Sequence, residues 1–205
     1  MAILNFVKPD KIVLQKASDF EAQFEFRPLE PGFAVTVGNA LRRVMLSSLE
    51  GNAIAGIKIE GADHEFATIK GITEDVVEII LNLKQVRFKK NVEHEVNHEK
   101  ITLSLRNKTE FTAANIGEAT QSFEVMNPEL LICTMDPSAK LDIEINISRG
   151  RGYVPAEDNK PKEAVFGFIA TDSIFTPIKN VKYSIENTRV EQRTDFEKLI
   201  MEVVT

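Results

Sequence analysis

The stretch from Phe26 to Gly51, FRPLEPGFAVTVGNALRRVMLSSLEG, constrains the fold more than any other part of the chain. It reads as a strand, a Pro31-Gly32 turn and a helix closed by Gly51. At about 100° per residue, Val37, Ala40, Leu41, Val44 and Met45 gather on one helical face. Val35, Leu46 and Leu49 fall on the other, among Asn39, Arg42 and Arg43. A surface helix ordinarily turns a plain polar back to water. A back that mixes apolar groups, arginines and an amide suits contact with something other than water. Val37, Leu41 and Val44 are therefore expected to face their own sheet, with Val35, Leu46 and Leu49 outward. Gly38 lies inside the helix, where it costs about 1 kcal/mol relative to alanine. Close approach of another element is a physical reason to place it there.

The 205 residues make one large domain or two small ones. At this size about 70% of the unfolded surface can be buried, so a core without disulfides is feasible. The net charge of -6 makes the chain a poor ligand for phosphate backbones. Direct DNA binding by this piece is not expected. The single Cys133, in the apolar run LLICTM, reads as a small buried hydrophobe. One cysteine forms no internal disulfide, which fits a reducing cytoplasm. No apolar run approaches the ~20 residues of a membrane span. The opening MAILNFVKPDK is too short in apolar residues for a signal peptide. A cytoplasmic chain without membrane contact is expected.

Phe20, Ala22, Phe24 and Phe26 alternate with Glu21, Gln23 and Glu25, as in a half-buried strand with a polar outer face. Ala55, Ile57 and Ile59 alternate in another. Thr73 is placed to cap a second helix, with Glu74 and Asp75 in its first turn and Val76, Val77, Ile80 and Leu81 as its buried stripe. From Val86 to Ile147 the period is two, with Ile101, Leu103 and Leu105 on one strand and Leu141, Ile143, Ile145 and Ile147 on another. Residues 156–163 are polar and bear a proline, so an exposed loop without contact to the core is expected. Val181, Tyr183 and Ile185 are matched to Leu199, Met201 and Val203 in an antiparallel hairpin. The element order is that of an α+β protein.

His94, Glu95 and His98 spell the H-E-x-x-H of zinc proteases, which would make the chain a small zinc hydrolase. That chemistry needs a helix, so that both imidazoles share one face. Here the letters lie in a charged stretch between two strands, and the favoured reading is a solvated hairpin loop. Arg149-Gly150-Arg151-Gly152-Tyr153 has the look of a short RNA-binding or phosphate-cradling segment. A strand-ending turn whose glycines supply positive φ is favoured instead. No catalytic, cofactor-binding or metal-ligating residues are assigned, and no cofactor is expected.

Several blocks, taken in order, carry a family resemblance. They are LEPGFAVTVGNALRRVMLSSLEG; Gly56 to Gly61 followed by His64-Glu65-Phe66; Thr73-Glu74-Asp75 leading into Ile79 to Lys84; Arg149 to Pro155; and Arg189 to Asp195. Together they span nearly the whole chain, which resembles the N-terminal domain of the bacterial RNA polymerase alpha subunit. The resemblance implies two domains. The ends, 1–50 and 172–205, would form the assembly and dimerisation domain, with residues 51–171 as an inserted β-rich domain. It implies a homodimer that assembles the beta and beta-prime subunits into the polymerase, with the catalytic metal in the largest subunits. Asn39, Arg42, Arg43, Leu46 and Lys84 would then meet beta. Phe6, Phe33, Val35, Leu46 and Leu49 would form the dimer interface, and Arg189, Glu191 and Arg193 would meet beta-prime. Loop 156–163 falls where some family members receive transcription activators. The family continues past Thr205 into another interface helix, a linker and a DNA-binding domain, so the chain reads as a truncated piece. A generic acidic dimeric adaptor is the alternative binding-class reading.

Overall fold

The computed structural model describes residue 9 and residues 11–91, 96–161 and 165–205. Along the chain come β1 (Lys11–Ala17), β2 (Glu21–Leu29), α1 (Phe33–Ser47), β3 (Glu50–Ile59), α2 (Val76–Leu83) and β4 (Phe88–Lys90). Next are β5 (His98–Arg106), β6 (Glu110–Thr112), α3 (Ala113–Ala119), β7 (Phe123–Val125), β8 (Leu131–Thr134) and β9 (Lys140–Arg151). The last are β10 (Tyr153–Val154), β11 (Phe168–Ala170), β12 (Ser173–Ile174), β13 (Asn180–Val190) and β14 (Arg193–Val204). The architecture is α+β, and the chain divides into two compact units.

One unit takes the chain up to Leu49 and again from Thr176. Its antiparallel sheet has the order β1-β2-β14-β13, so strands from both chain ends alternate within one hydrogen-bonded layer. Val181 pairs with Val203, Tyr183 with Met201 and Ile185 with Leu199. These residues share one sheet face because side chains alternate with period two. Helix α1 packs on β13 and β14. Leu29, Ala34, Val181, Leu199 and Met201 form the buried centre, with Val37, Leu41, Met45 and Leu46 packed against it.

The strand before α1 departs from simple alternation. Phe20 precedes β2 and is 66% exposed, whereas Glu25, on the face expected to be polar and wet, is buried. Gln15 donates to Glu25 Oε2 at 2.8 Å, and Arg27 Nε lies 2.8 Å from Oε1. A buried carboxylate is tolerable when it is paired in this way. Helix α1 also ends earlier than expected, at Ser47. Gly51 belongs to β3, where it pairs with Gly150.

The other unit is Glu50–Phe175. Its main sheet runs β5-β9-β3-β4-β7, with β11 added to β3. Ile101, Leu103 and Leu105 of β5 and Leu141, Ile143, Ile145 and Ile147 of β9 are all buried, and they share a core with α2, α3 and β8. Helix α2 begins two residues later than its sequence suggested. Its cap is Asp75, which accepts from Glu78 N at 2.7 Å, while the Glu78 carboxylate accepts from Asp75 N at 3.3 Å. That reciprocal pair satisfies two of the donors a helix N-terminus leaves open. Starting at Val76 rotates the buried stripe to Val76, Ile79, Ile80 and Leu83, and Leu81 becomes 52% exposed. Glu74 instead accepts from Thr134 N at 2.7 Å. The region read as all strand holds the seven-residue helix α3.

Candidate subunit interface

Helix α1 is fixed at three points. Its first turn has no side-chain cap of its own. Glu197 of β14 supplies one, accepting from Gly32 N at 2.8 Å and Ala34 N at 3.0 Å. A carboxylate there satisfies two open donors and meets the positive end of the helix dipole. In the middle, Gly38 is buried, and a Cβ on it would lie 2.8 Å from Tyr183 Cδ2 and 2.9 Å from Leu199 Cδ1. The close approach inferred for Gly38 is therefore the hairpin of its own sheet. One turn on, Arg42 Nε donates to Val181 O at 3.1 Å, on edge strand β13.

These anchors set the phase of the helix. Ala34, Val37, Gly38, Leu41 and Met45 face the sheet. Val44, expected to face inward, is 50% exposed, and Leu46, expected outward, packs on the core. The shift follows from Gly38, whose missing side chain draws that side of the helix onto Tyr183. Phe33 (40%), Val35 (51%) and Leu49 (37%) stand open as expected, with Asn39 and Arg43 exposed beside them. The Arg43 guanidinium makes no hydrogen bond or ion pair among the described residues. Phe6 lies outside the described residues.

The open apolar surface extends beyond the helix. Leu14 pairs with Phe24, and Phe24 with Met201. Leu14 therefore sits on the sheet face that carries α1, and Ile12 does so through Phe26 and Leu199. Ile12 is 64% and Leu14 53% exposed. Ile185 continues the same face on the opposite edge strand. Ile12, Leu14, Val44 and Ile185 were missed from the sequence. The alternation in KIVLQKA was the available signal for β1, but only the register shows which side its apolar residues take. An apolar face of this extent is unfavourable in water unless a partner covers it.

Other residues singled out by sequence lie elsewhere. Lys84 is ion-paired with Asp172. Arg189, Glu191 and Arg193 cluster at the exposed tip between β13 and β14. There Arg189 Nε donates to Glu191 O at 2.7 Å, and Arg193 pairs with Asp195 while lying 4.8 Å from the Phe196 ring centre. Arg149 and Arg151 both grip Glu50, and the Arg151 guanidinium, aided by Arg149, holds that carboxyl below its usual range. Only part of the glycine reading survives here. Gly152 has φ 61°, but Gly150 lies within β9, where a Cβ would sit 2.6 Å from the Phe175 ring. His98 lies on strand β5, with Nδ1 3.1 Å from Ser148 Oγ, not on the helix a zinc-protease motif requires. His94 and Glu95 lie outside the described residues. Asn159 donates to Thr171 O at 2.7 Å and Ser173 Oγ at 2.9 Å, so residues 156–161 are tied to the core, contrary to the free loop expected. Lys162 and Glu163 lie outside the described residues. No helix among the described residues is long and apolar enough to cross a membrane.

Residues 57–176 match the family model described as the RNA polymerase Rpb3/RpoA insert domain. The chain belongs to that family. The match covers most of the second unit and so concerns the β-rich body, not the surface around α1. Likeness over the whole chain comes from curated relatives. The chain is 60% identical over 205 residues to the DNA-directed RNA polymerase subunit alpha of Cytophaga hutchinsonii, covering 100% of this chain and 62% of that protein. To the protein of the same description in Flavobacterium psychrophilum it is 57% identical, with the same coverage. To that of Chloroherpeton thalassium it is 53% identical over 199 residues, covering 96% of this chain and 60% of the relative. The chain thus spans about three fifths of the length of the relatives it matches.

Proposed function

We propose that this chain is the assembly part of a bacterial RNA polymerase alpha subunit, acting in the cytoplasm. It pairs with a second copy of itself and carries the beta and beta-prime subunits into the enzyme that performs DNA-templated nucleotidyl transfer. Its own contribution is geometric, and it binds no DNA directly. The observation that carries this reading is the open apolar face of α1 and β1 beside Arg43, whose guanidinium has no partner among the described residues. The nested-domain organisation belongs to the same proposal.

A two-fold contact uses the same patch on both copies. Phe33, Val35, Val44 and Leu49 are the groups assigned to it, with Phe6 and Leu46 as further candidates. Toward beta, Asn39 and Arg43 are the groups left available, because Arg42 and Lys84 have partners within the chain. The tip bearing Arg189, Glu191 and Arg193 is assigned to beta-prime. Activator docking on 156–161 is not proposed, since Asn159 anchors that segment.

The test is Arg43→Ala, measured as affinity for purified beta subunit. Losing a desolvated interface arginine costs about 2 kcal/mol, a weakening of roughly thirtyfold. The circular dichroism of the chain should not change. Undiminished affinity would return Arg43 to the role of a solvated helix residue.

A further inference from the structure

We infer that the second unit holds a site for a free ribonucleoside monophosphate, in the cavity on the face of β5, β9 and β3 turned away from the core. The cavity measures about 600 Å³, with Lys58, Asn146, Asp158 and Phe168 among its lining. That volume lies in the ordinary range for small-molecule sites. Asp158 is held beside the sheet because its neighbour Asn159 is bonded to Thr171 O and Ser173 Oγ. Pairing sets Lys100, Asn146 and Gly56 abreast, and Thr102, Glu144, Lys58 and Phe168 abreast on the next rung. A Cβ on Gly56 would lie 2.2 Å from Phe168 Cζ. The missing side chain lets the Phe168 ring reach diagonally across to the rung of Asn146. The site is independent of the subunit contacts proposed above.

The groups left without partners select the occupant. Lys100 and Glu144 form an ion pair at 2.6 Å and cancel. The Glu99 carboxylate is taken up by Thr120, Gln121 and Ser122, and His98 by Ser148. Three polar groups of the lining remain without a hydrogen bond or ion pair among the described residues: the half-buried Lys58 ammonium, the half-buried Asn146 amide and the Asp158 carboxylate. Lys58 calls for an anion, Asp158 for hydroxyl donors, and Asn146 for a group that both donates and accepts. The Phe168 ring adds an aromatic surface. A ribonucleotide carries all four complements. Lysine binds phosphate as a point charge, a carboxylate accepts from ribose hydroxyls, an asparagine amide pairs with a base edge, and the base stacks on an aromatic ring.

The probe is adenosine monophosphate, titrated into the isotope-labelled chain and followed by the amide NMR shifts. The controls are adenosine, which lacks the phosphate, and ribose phosphate, which lacks the base. Shifts at Lys58, Asn146 and Phe168 are expected to saturate, with the nucleotide bound about tenfold more tightly than either control. Lys58→Ala and Asn146→Ala should each weaken binding to a similar degree, and Lys58→Arg should retain it. Unchanged amide shifts elsewhere check that the variants are folded. Equal binding of the nucleotide and ribose phosphate would show a surface that attracts phosphate alone and overturn the proposal. Equal binding of the nucleotide and adenosine would do the same, as would full affinity in Asn146→Ala or shifts confined to other parts of the chain. Tighter binding of a short adenylate oligonucleotide than of the monophosphate would overturn the free nucleotide as occupant and assign the site to an RNA end.

Discussion

At the scale of single residues, burial and hydrogen bonding decide what each titratable group can do. Cys133 is fully buried, and burial, with the Glu74 carboxylate adding to it, pushes its thiol up to about 12. The thiolate is the reactive form, so the native chain should not react with a disulfide reagent at neutral pH, and the denatured chain should release one equivalent. Prompt labelling of the folded chain would contradict this. Glu99 presents the opposite balance. Burial raises its carboxyl, but bonds from Gln121 N at 3.0 Å, Thr120 Oγ1 at 2.7 Å and Ser122 N at 3.3 Å outweigh that and lower it. A carboxyl held low in the folded state stabilises the fold above its unfolded value of about 4.3, and the gain disappears as pH falls through the lower folded value. Glu99→Gln should therefore be less stable at pH 7 and lose less stability on acidification. Parallel curves of unfolding free energy against pH for the two chains would show that Glu99 contributes nothing to acid sensitivity.

At the scale of elements, the α1 helix depends on a missing side chain. Gly→Ala in a helix interior ordinarily stabilises by about 1 kcal/mol. At Gly38 the added carbon would collide with Tyr183 and Leu199, and overpacking costs about 1–3 kcal/mol. Gly38→Ala should therefore lower the denaturation midpoint, and a raised midpoint would mean that the helix can ride outward freely. This element also shows what the sequence makes legible. The apolar rows of the hairpin β13–β14, Val181, Tyr183 and Ile185 against Leu199, Met201 and Val203, were readable, because strict alternation favours a register that buries both rows, whereas the register shift between Thr188 and Val190 was not. The existence of α1 was equally clear. Its phase was not, since Val44 and Leu46 are both apolar and only the Gly38 contact decides between them. The start of α2 was misread because Thr73 and Asp75 are both good caps, and the reciprocal bond with Glu78 favours Asp75. Helix α3 escaped notice because seven residues give scarcely two turns of periodicity amid strands. The buried Glu25 depends on Gln15 of a neighbouring strand, a pairing no local pattern contains.

At the scale of the whole molecule, one apolar row has two possible owners, the chain's own core or a partner. Much of the candidate interface was readable as an oddity of composition on the back of α1. The contribution of β1 was not, because the side taken by Ile12 and Leu14 follows from pairing with β2. The account's central claim is that this face closes on a second copy. Sedimentation equilibrium over a wide concentration range tests it most directly, with Val35→Asp/Val44→Asp as the paired variant. The account predicts that the unmodified chain approaches twice 23.0 kDa as concentration rises, and that the variant stays folded at 23.0 kDa. A chain that remains at 23.0 kDa up to millimolar concentration, or a variant that still doubles its mass, would contradict it.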